Sequence, residues 1–291
     1  MNNHLAPLHV GHGIRAGALT IFPVWIDGAT TPNLSWSPTR LRVREQPTGP
    51  VVEALSATNV SERPTVGLAG DLLAGGWQNR MLAASLVFAP RETRAVETLC
   101  VERRRWRGAG EHQCTGRRTS PSVLARSTHG TSRQSQVWSR IEEFERALGA
   151  TVTSSLLDHL DRADRTIRDL MPRPLEGQRG LIFGVGGRVM GAELFGSSRG
   201  LAKRWDGILD GLALDGRLAP PVATRSDAAR AFARRLGALR FSAGGSAGLA
   251  RQVAAIDGPL RSSGIALTTG AVEAMVHAAV FDESHPALGV H

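Results

Sequence analysis

The stretch Leu181-Ile182-Phe183-Gly184-Val185-Gly186-Gly187-Arg188-Val189-Met190-Gly191-Ala192-Glu193-Leu194 decides the fold class. Two apolar runs flank a pair of glycines, and both turn positions can take positive φ, which is the pattern of a tight β-hairpin. Ser198 to Leu214 then sets Leu201, Trp205, Ile208, Leu209 and Leu212 at helical spacing. The glycines do not form a dinucleotide fingerprint. In Gly184-x-Gly186-Gly187 the third glycine position falls at Val189, and a strand follows where a helix is required.

Working outward toward the C-terminus, Ser226 to Leu239 reads as a helix capped by Ser226, with Phe232, Leu236 and Leu239 inward. A second hairpin is expected from Ile265 to Leu267, a turn at Thr269-Gly270, and Glu273 to Phe281. Toward the N-terminus, Ser154 to Leu170 and Gln136 to Leu148 carry apolar residues at helical spacing. Between Trp106 and Gln134 the periodicity fails, and a long, basic, mobile loop is expected, crossed by a short strand at Val123 to Ala125. The first third is a series of short strands: Ala18 to Ile26, Leu41 to Glu45, Val51 to Asn59, Thr65 to Leu73, Met81 to Phe88 and Thr93 to Val101. The expected class is α+β, an N-terminal antiparallel β-sandwich or barrel-like sheet followed by a helix-plus-β-hairpin region. The expected division is a β-rich region over 1–118, a basic loop over 119–134 and an α+β region over 135–291, or one continuous domain.

The chain of 291 residues is long enough to bury a core without disulfides or metal. Its two cysteines make no secreted disulfide framework. No run approaches the roughly 20 apolar residues of a membrane helix. Met1 to Leu8 lacks a basic region followed by an apolar one, so no secretory signal and no membrane partner are expected, and the expected location is cytoplasmic. The formal charge is +9, and all but Lys203 of the 35 basic residues are arginine. That surplus fits an acidic partner, such as a nucleotide or nucleic acid, or else simple compositional bias.

Several segments in order resemble one family. They are Gly70-Asp71-Leu72 with Gly75-Gly76-Trp77-Gln78-Asn79-Arg80; Cys100-Val101-Glu102 with Arg105-Trp106; Gln136-Val137-Trp138; Gly187 through Phe195; and Val276-His277-Ala278-Ala279-Val280-Phe281. The sequence is similar to the ARG and Rhodanese-Phosphatase-superfamily-associated domain, over about residues 31 to 281. The resemblance implies a bacterial protein whose relatives are linked to ADP-ribosylglycohydrolase-like and phosphatase-like partner proteins, hence to ADP-ribose or nucleotide chemistry. It brings no catalytic residues. Relatives tend to carry an acidic pair near Gly70, and this chain keeps only Asp71 there.

The candidate ligand-binding residues are Asp71, Gln78, Asn79, Arg80, Glu102, Arg105, Trp106 and His277. Gln78-Asn79-Arg80 after two glycines forms either an anion cradle or an inter-strand turn with Arg80 paired to Asp71. Glu102, Arg105 and Trp106 form either a base-stacking and phosphate-neutralising set or a strand end covered by a tryptophan. His277 reads as a core histidine or a base. Cys100, Glu102, His112 and Cys114 match no zinc-knuckle spacing. No cofactor motif is complete. A binding or accessory module for ADP-ribose-like ligands is the first expectation. The alternatives are a hydrolase of a phosphorylated or glycosidic nucleotide bond using Asp71, Glu102 or His277, and a nucleic-acid-associated structural protein using the basic loop.

Overall fold

Gly186 and Gly187 take φ of 62° and 88°, and the strands Gly180–Val185 and Arg188–Phe195 pair antiparallel across them. This hairpin is the middle of a nine-stranded antiparallel sheet. The structure, a computed structural model, describes residues 5–31, 33–47, 49, 51–128, 132–162, 166–269 and 272–289. On one side of the hairpin lie Leu19–Ile26, Leu8–Val10 and Ile14–Ala16; on the other lie Val272–Asp282, Leu260–Thr269, Ala250–Asp257 and Ser242–Ala247. Helix Ser226–Ala238 packs Ala229, Phe232, Ala233 and Leu236 against Phe22, Val24, Ile182, Ala192 and Val280 of the sheet. Full burial of each large apolar side chain contributes about 1.5–3 kcal/mol, which anchors the helix to the sheet.

The remaining strands close on themselves. Thr93–Cys100, Ala54–Asn59, Leu41–Arg44, Glu111–Arg118, Asp71–Gly75 and Arg80–Leu82 form a closed antiparallel barrel in that order. A two-stranded piece, Thr65–Gly67 with Leu86–Phe88, accompanies it. Closure leaves no unpaired edge. Helices Pro121–Ser127, Arg133–Leu148 and Leu156–Asp161 belong to the same unit.

The α+β class and the barrel-like sheet follow the sequence expectation. The chain forms two units interleaved in sequence: 1–32, 165–205 and 215–291 make the sheet unit, and 33–164 with 206–214 make the barrel unit. Within the sheet unit, Leu19–Ile26 finds its partner at Gly180–Val185, far along the chain. Among its described residues the expected basic loop contains two regular elements. Glu111–Arg118 is a barrel strand, and Pro121–Ser127 is a helix in place of the expected strand at Val123 to Ala125. Ser120 caps that helix by accepting from the Val123 N–H, and Pro121 occupies its first turn. The strand escaped the apolar pattern because the side chains it buries include His112 and Arg118. The expected helix from Ser154 to Leu170 is two short ones, Leu156–Asp161 and Thr166–Leu170, and Ala163 lies outside the described residues. The second hairpin is present, with the turn residue Gly270 likewise outside them. Helix Ser226–Ala238 has Arg225, not Ser226, at its cap position. Among the described residues no helix is long and apolar enough to cross a membrane.

Candidate functional site

One end of the barrel gathers most of the residues singled out in the sequence. The strand Asp71–Gly75 turns back through Gly76-Trp77-Gln78-Asn79 into Arg80–Leu82. Gly75 and Gly76 take φ of 97° and 55°. Gly76 also faces the His112 ring so closely that a Cβ there would stand 2.1 Å from it. Glycine is therefore required twice over, by conformation and by space.

Asn79 closes the turn. Its Oδ1 accepts from the Gly75 N–H at 2.9 Å, its Nδ2 donates to Ser155 Oγ at 3.2 Å, and its own N–H donates to Glu102 Oε2 at 2.8 Å. Ser155 in turn bridges Glu102, and the residue before it, Ser154, holds a left-handed φ of 54°. Glu102 is 2% exposed and receives Arg105 from Nε at 2.9 and 3.0 Å and from Nη2 at 2.7 Å. Arg105 also donates to the Gly75, Gly76 and Arg107 carbonyls. Burial pushes the Glu102 carboxyl up, but the bonds from Arg105, Thr153 and Asn79 outweigh it and hold its pKa below the ordinary glutamate value. Glu102 and Arg105 thus form a clamp on the turn.

Arg80 is 0% exposed and stands opposite Cys100 in the strand register. Its Nη1 donates to the Val52 carbonyl at 2.8 Å and to Cys100 Sγ at 2.7 Å; it does not pair with Asp71. Its Nε and Nη2, the two donors along one edge of the guanidinium, have no partner among the described residues. Gln78 Oε1 accepts from the Cys100 thiol at 2.9 Å. The Cys100 pKa is pushed up to about 11, chiefly by burial; Arg80 pulls it down, and Glu53, Glu45 and Glu102 push it up. Cys100 is a thiol at neutral pH and no activated nucleophile.

Trp106 is 47% exposed, and its ring centroid lies 5.7 Å from the Arg80 guanidinium carbon and 5.7 Å from that of Trp77, edge to face. Trp106 lies on a segment, 103–110, without helix or strand.

Sequence reasoning missed Glu45 and assigned His112 only to a metal set. The two side chains are buried partners, His112 Nε2 donating to Glu45 Oε1 at 3.1 Å, and the same oxygen accepts from the Trp77 N–H at 3.1 Å. Burial lowers the His112 pKa, against the opposing pull of Glu45. The signal for His112 was its inward alternation on Glu111–Arg118; Glu45, just past a strand end, gave none. No group of three or more His, Cys, Asp and Glu residues suited to a metal occurs among the described residues.

Asp71, at the far end of its strand, is buried and accepts from the Leu68 N–H at 2.9 Å. His277 belongs to the sheet unit. It is 2% exposed, its Nε2 lies 3.1 Å from Glu193 Oε2, and its ring meets Phe195 edge-on at 4.8 Å. The barrel end thus brings together Gln78, Asn79, Arg80, Glu102, Arg105 and Trp106. The arginines of the former loop are largely engaged: Arg103 with Glu142, and Arg117 with Asp161 and Asp210.

No curated protein and no solved structure matched the chain. Residues 7–281 match the ARG and Rhodanese-Phosphatase-superfamily-associated Protein domain, a span that takes in both units and every candidate residue above. The chain belongs to that family.

Proposed function

We propose that the protein is a ligand-binding or accessory module for a phosphorylated nucleoside of the ADP-ribose type, with Arg80 as the anion-holding residue and Trp106 as its cover. The observation that carries this is the unpaired Nε and Nη2 edge of a fully buried arginine. A buried donor without an acceptor costs about 1–3 kcal/mol, more when charged. Two parallel donors on one edge match the two oxygens of a phosphate or carboxylate. Rotation of the Trp106 side chain, with the backbone held by the Arg105 clamp, opens the way to Arg80 and frees an aromatic face for a base. The family's description, associated with ARG and the rhodanese-phosphatase superfamily, supports this ligand class and proteins of those kinds as partners. The hydrolytic alternative needs two free acid–base groups at one substrate, and Glu102 is committed to Arg105 and Asn79.

Thermal melting of wild type, Arg80→Lys and Trp106→Ala against ADP-ribose, NAD, AMP and inorganic phosphate tests the reading. Ligand at a hundredfold excess over Kd stabilises by about 2.7 kcal/mol, which is roughly 4–5 °C at this chain length. A wild-type shift that Arg80→Lys removes is expected, since lysine keeps the charge and loses the fork. No shift with any ligand, or one undiminished in Arg80→Lys, would overturn it.

A further inference from the structure

The sheet unit carries a cleft that the barrel-end site does not use. It has a volume of ≈ 750 Å³, inside the range of roughly 300–1,000 Å³ typical of small-molecule sites. Its apolar lining includes Phe195, Phe241, Val253 and Met275, and its rim runs along Leu5–Pro7 and Ile26–Ala29.

Charge in the cleft is arranged asymmetrically. Arg179 is 8% exposed, and all its N–H groups are taken by main-chain oxygens: Nε by Phe195, Nη1 by Ile26 and Gly28, Nη2 by Ala29 and Gly196. These bonds pin the rim segment to the sheet. They also leave the guanidinium's positive charge without a carboxylate among the described residues, because carbonyls satisfy donors but carry no net charge. Arg251 is partly buried and has no hydrogen bond or ion pair among the described residues. The rim acid Asp27 is taken by His9 at 3.0 Å. Glu273, also in the lining, holds a buried Oε1 that accepts nothing among the described residues.

Strand register fixes the spacing of the two unengaged groups. Arg251 stands opposite Ala266, and Ala266 opposite Met275. Glu273 is two residues along from Met275 and lines the same cleft. Two strand spacings and two residues along a strand put the Cα atoms of Arg251 and Glu273 about 12 Å apart. Opposite charges face one cleft without meeting, over an apolar floor.

We propose that this cleft is a second ligand site, for a small organic carboxylate with an apolar body and a hydrogen-bond donor at its other end. Arg251 holds the carboxylate, the uncompensated charge of Arg179 adds attraction, and Glu273 accepts from the distal donor. A bare inorganic anion does not fill the apolar floor. Neither arginine is interchangeable with the other: Arg179 has no donor left to give, so recognition by hydrogen bonding falls to Arg251.

Isothermal titration of the full chain with 4-hydroxyphenylacetate, phenylacetate, 4-hydroxyphenylethanol and inorganic phosphate tests the assignment. Saturable binding of 4-hydroxyphenylacetate is expected, with phenylacetate weaker and the alcohol and phosphate weaker still. Arg251→Gln is expected to weaken 4-hydroxyphenylacetate about tenfold or more. Glu273→Gln is expected to weaken 4-hydroxyphenylacetate and leave phenylacetate unchanged. Among the described residues Arg251 has no partner to lose, so its variant is expected to fold as wild type does. No saturable carboxylate binding, binding insensitive to Arg251→Gln, or phosphate binding as tight as the aromatic acids would each overturn the proposal. Arg80→Lys leaves these titrations unchanged, which separates this site's failure from that of the barrel-end reading.

Discussion

Arg80 and Arg105 both lie at the barrel end and have opposite roles. Arg105 saturates its donors on Glu102 and on carbonyls, and so fixes geometry; Arg80 keeps one edge unsatisfied, and so retains binding capacity. Sequence order flagged both residues but could not distinguish them, because the distinction depends on which carbonyls each guanidinium reaches. Glu102 gives a test of the clamp. Its folded pKa is below its ordinary value of 4.5, so its contribution to stability is complete above that pH and is lost as pH falls through the folded value. Glu102→Gln is expected to lower stability at pH 7 by about 2–3 kcal/mol. In urea titrations the gap from wild type should narrow at pH 3.5; a gap that stays constant would remove the charge from the account. The cysteines give a second test. Cys100 is fully buried with its pKa raised to about 11, whereas Cys114 is partly exposed. Iodoacetamide on native protein at pH 8 is expected to label Cys114 and to reach Cys100 only on unfolding, as read by peptide mass.

At the scale of elements, legibility tracked side-chain chemistry. Helices with an apolar stripe, such as Arg133–Leu148 and Ser226–Ala238, and the Gly186-Gly187 hairpin were readable because burial and periodicity coincide. Strand Glu111–Arg118 was not, because it buries polar side chains. Strands Ser242–Ala247 and Ala250–Asp257 were not either, because their small Gly, Ser and Ala residues carry little hydrophobic signal. Helix Ser198–Gly216 was readable from its leucines, yet its most demanding positions are glycines. A Cβ on Gly207 would stand 2.5 Å from the Gly116 carbonyl oxygen, and one on Gly211 the same distance from that of Thr119. These positions, one turn apart, let the helix backbone approach the end of a barrel strand. Gly211→Ala is expected to destabilise by about 1–3 kcal/mol despite its gain in helix propensity. Denaturant melts read the sign, and a stabilised variant would show that this approach is not needed.

For the whole molecule, connectivity matters more than composition. Leu19–Ile26 pairs with Gly180–Val185 across a separation that encloses every strand of the barrel. A chain met as a string suggests domains in sequence order, and nothing local in residues 5–32 reports where their neighbours will come from. Closing that long loop costs roughly 1 kcal/mol more than closing the barrel's shorter ones. Pulse-labelled hydrogen exchange during refolding is therefore expected to protect Thr93–Cys100 before Leu19–Ile26. Simultaneous protection would mean that the two units form in one step.

The same threading acts during synthesis. The ribosome releases Phe22 and Val24 early, then takes about 10–30 s at ordinary elongation rates to produce the strand that covers them. Through that interval the nascent chain trails a naked apolar ribbon behind a growing barrel. Premature termination before residue 180 would strand that ribbon permanently, leaving a truncated product prone to aggregate by its leading end.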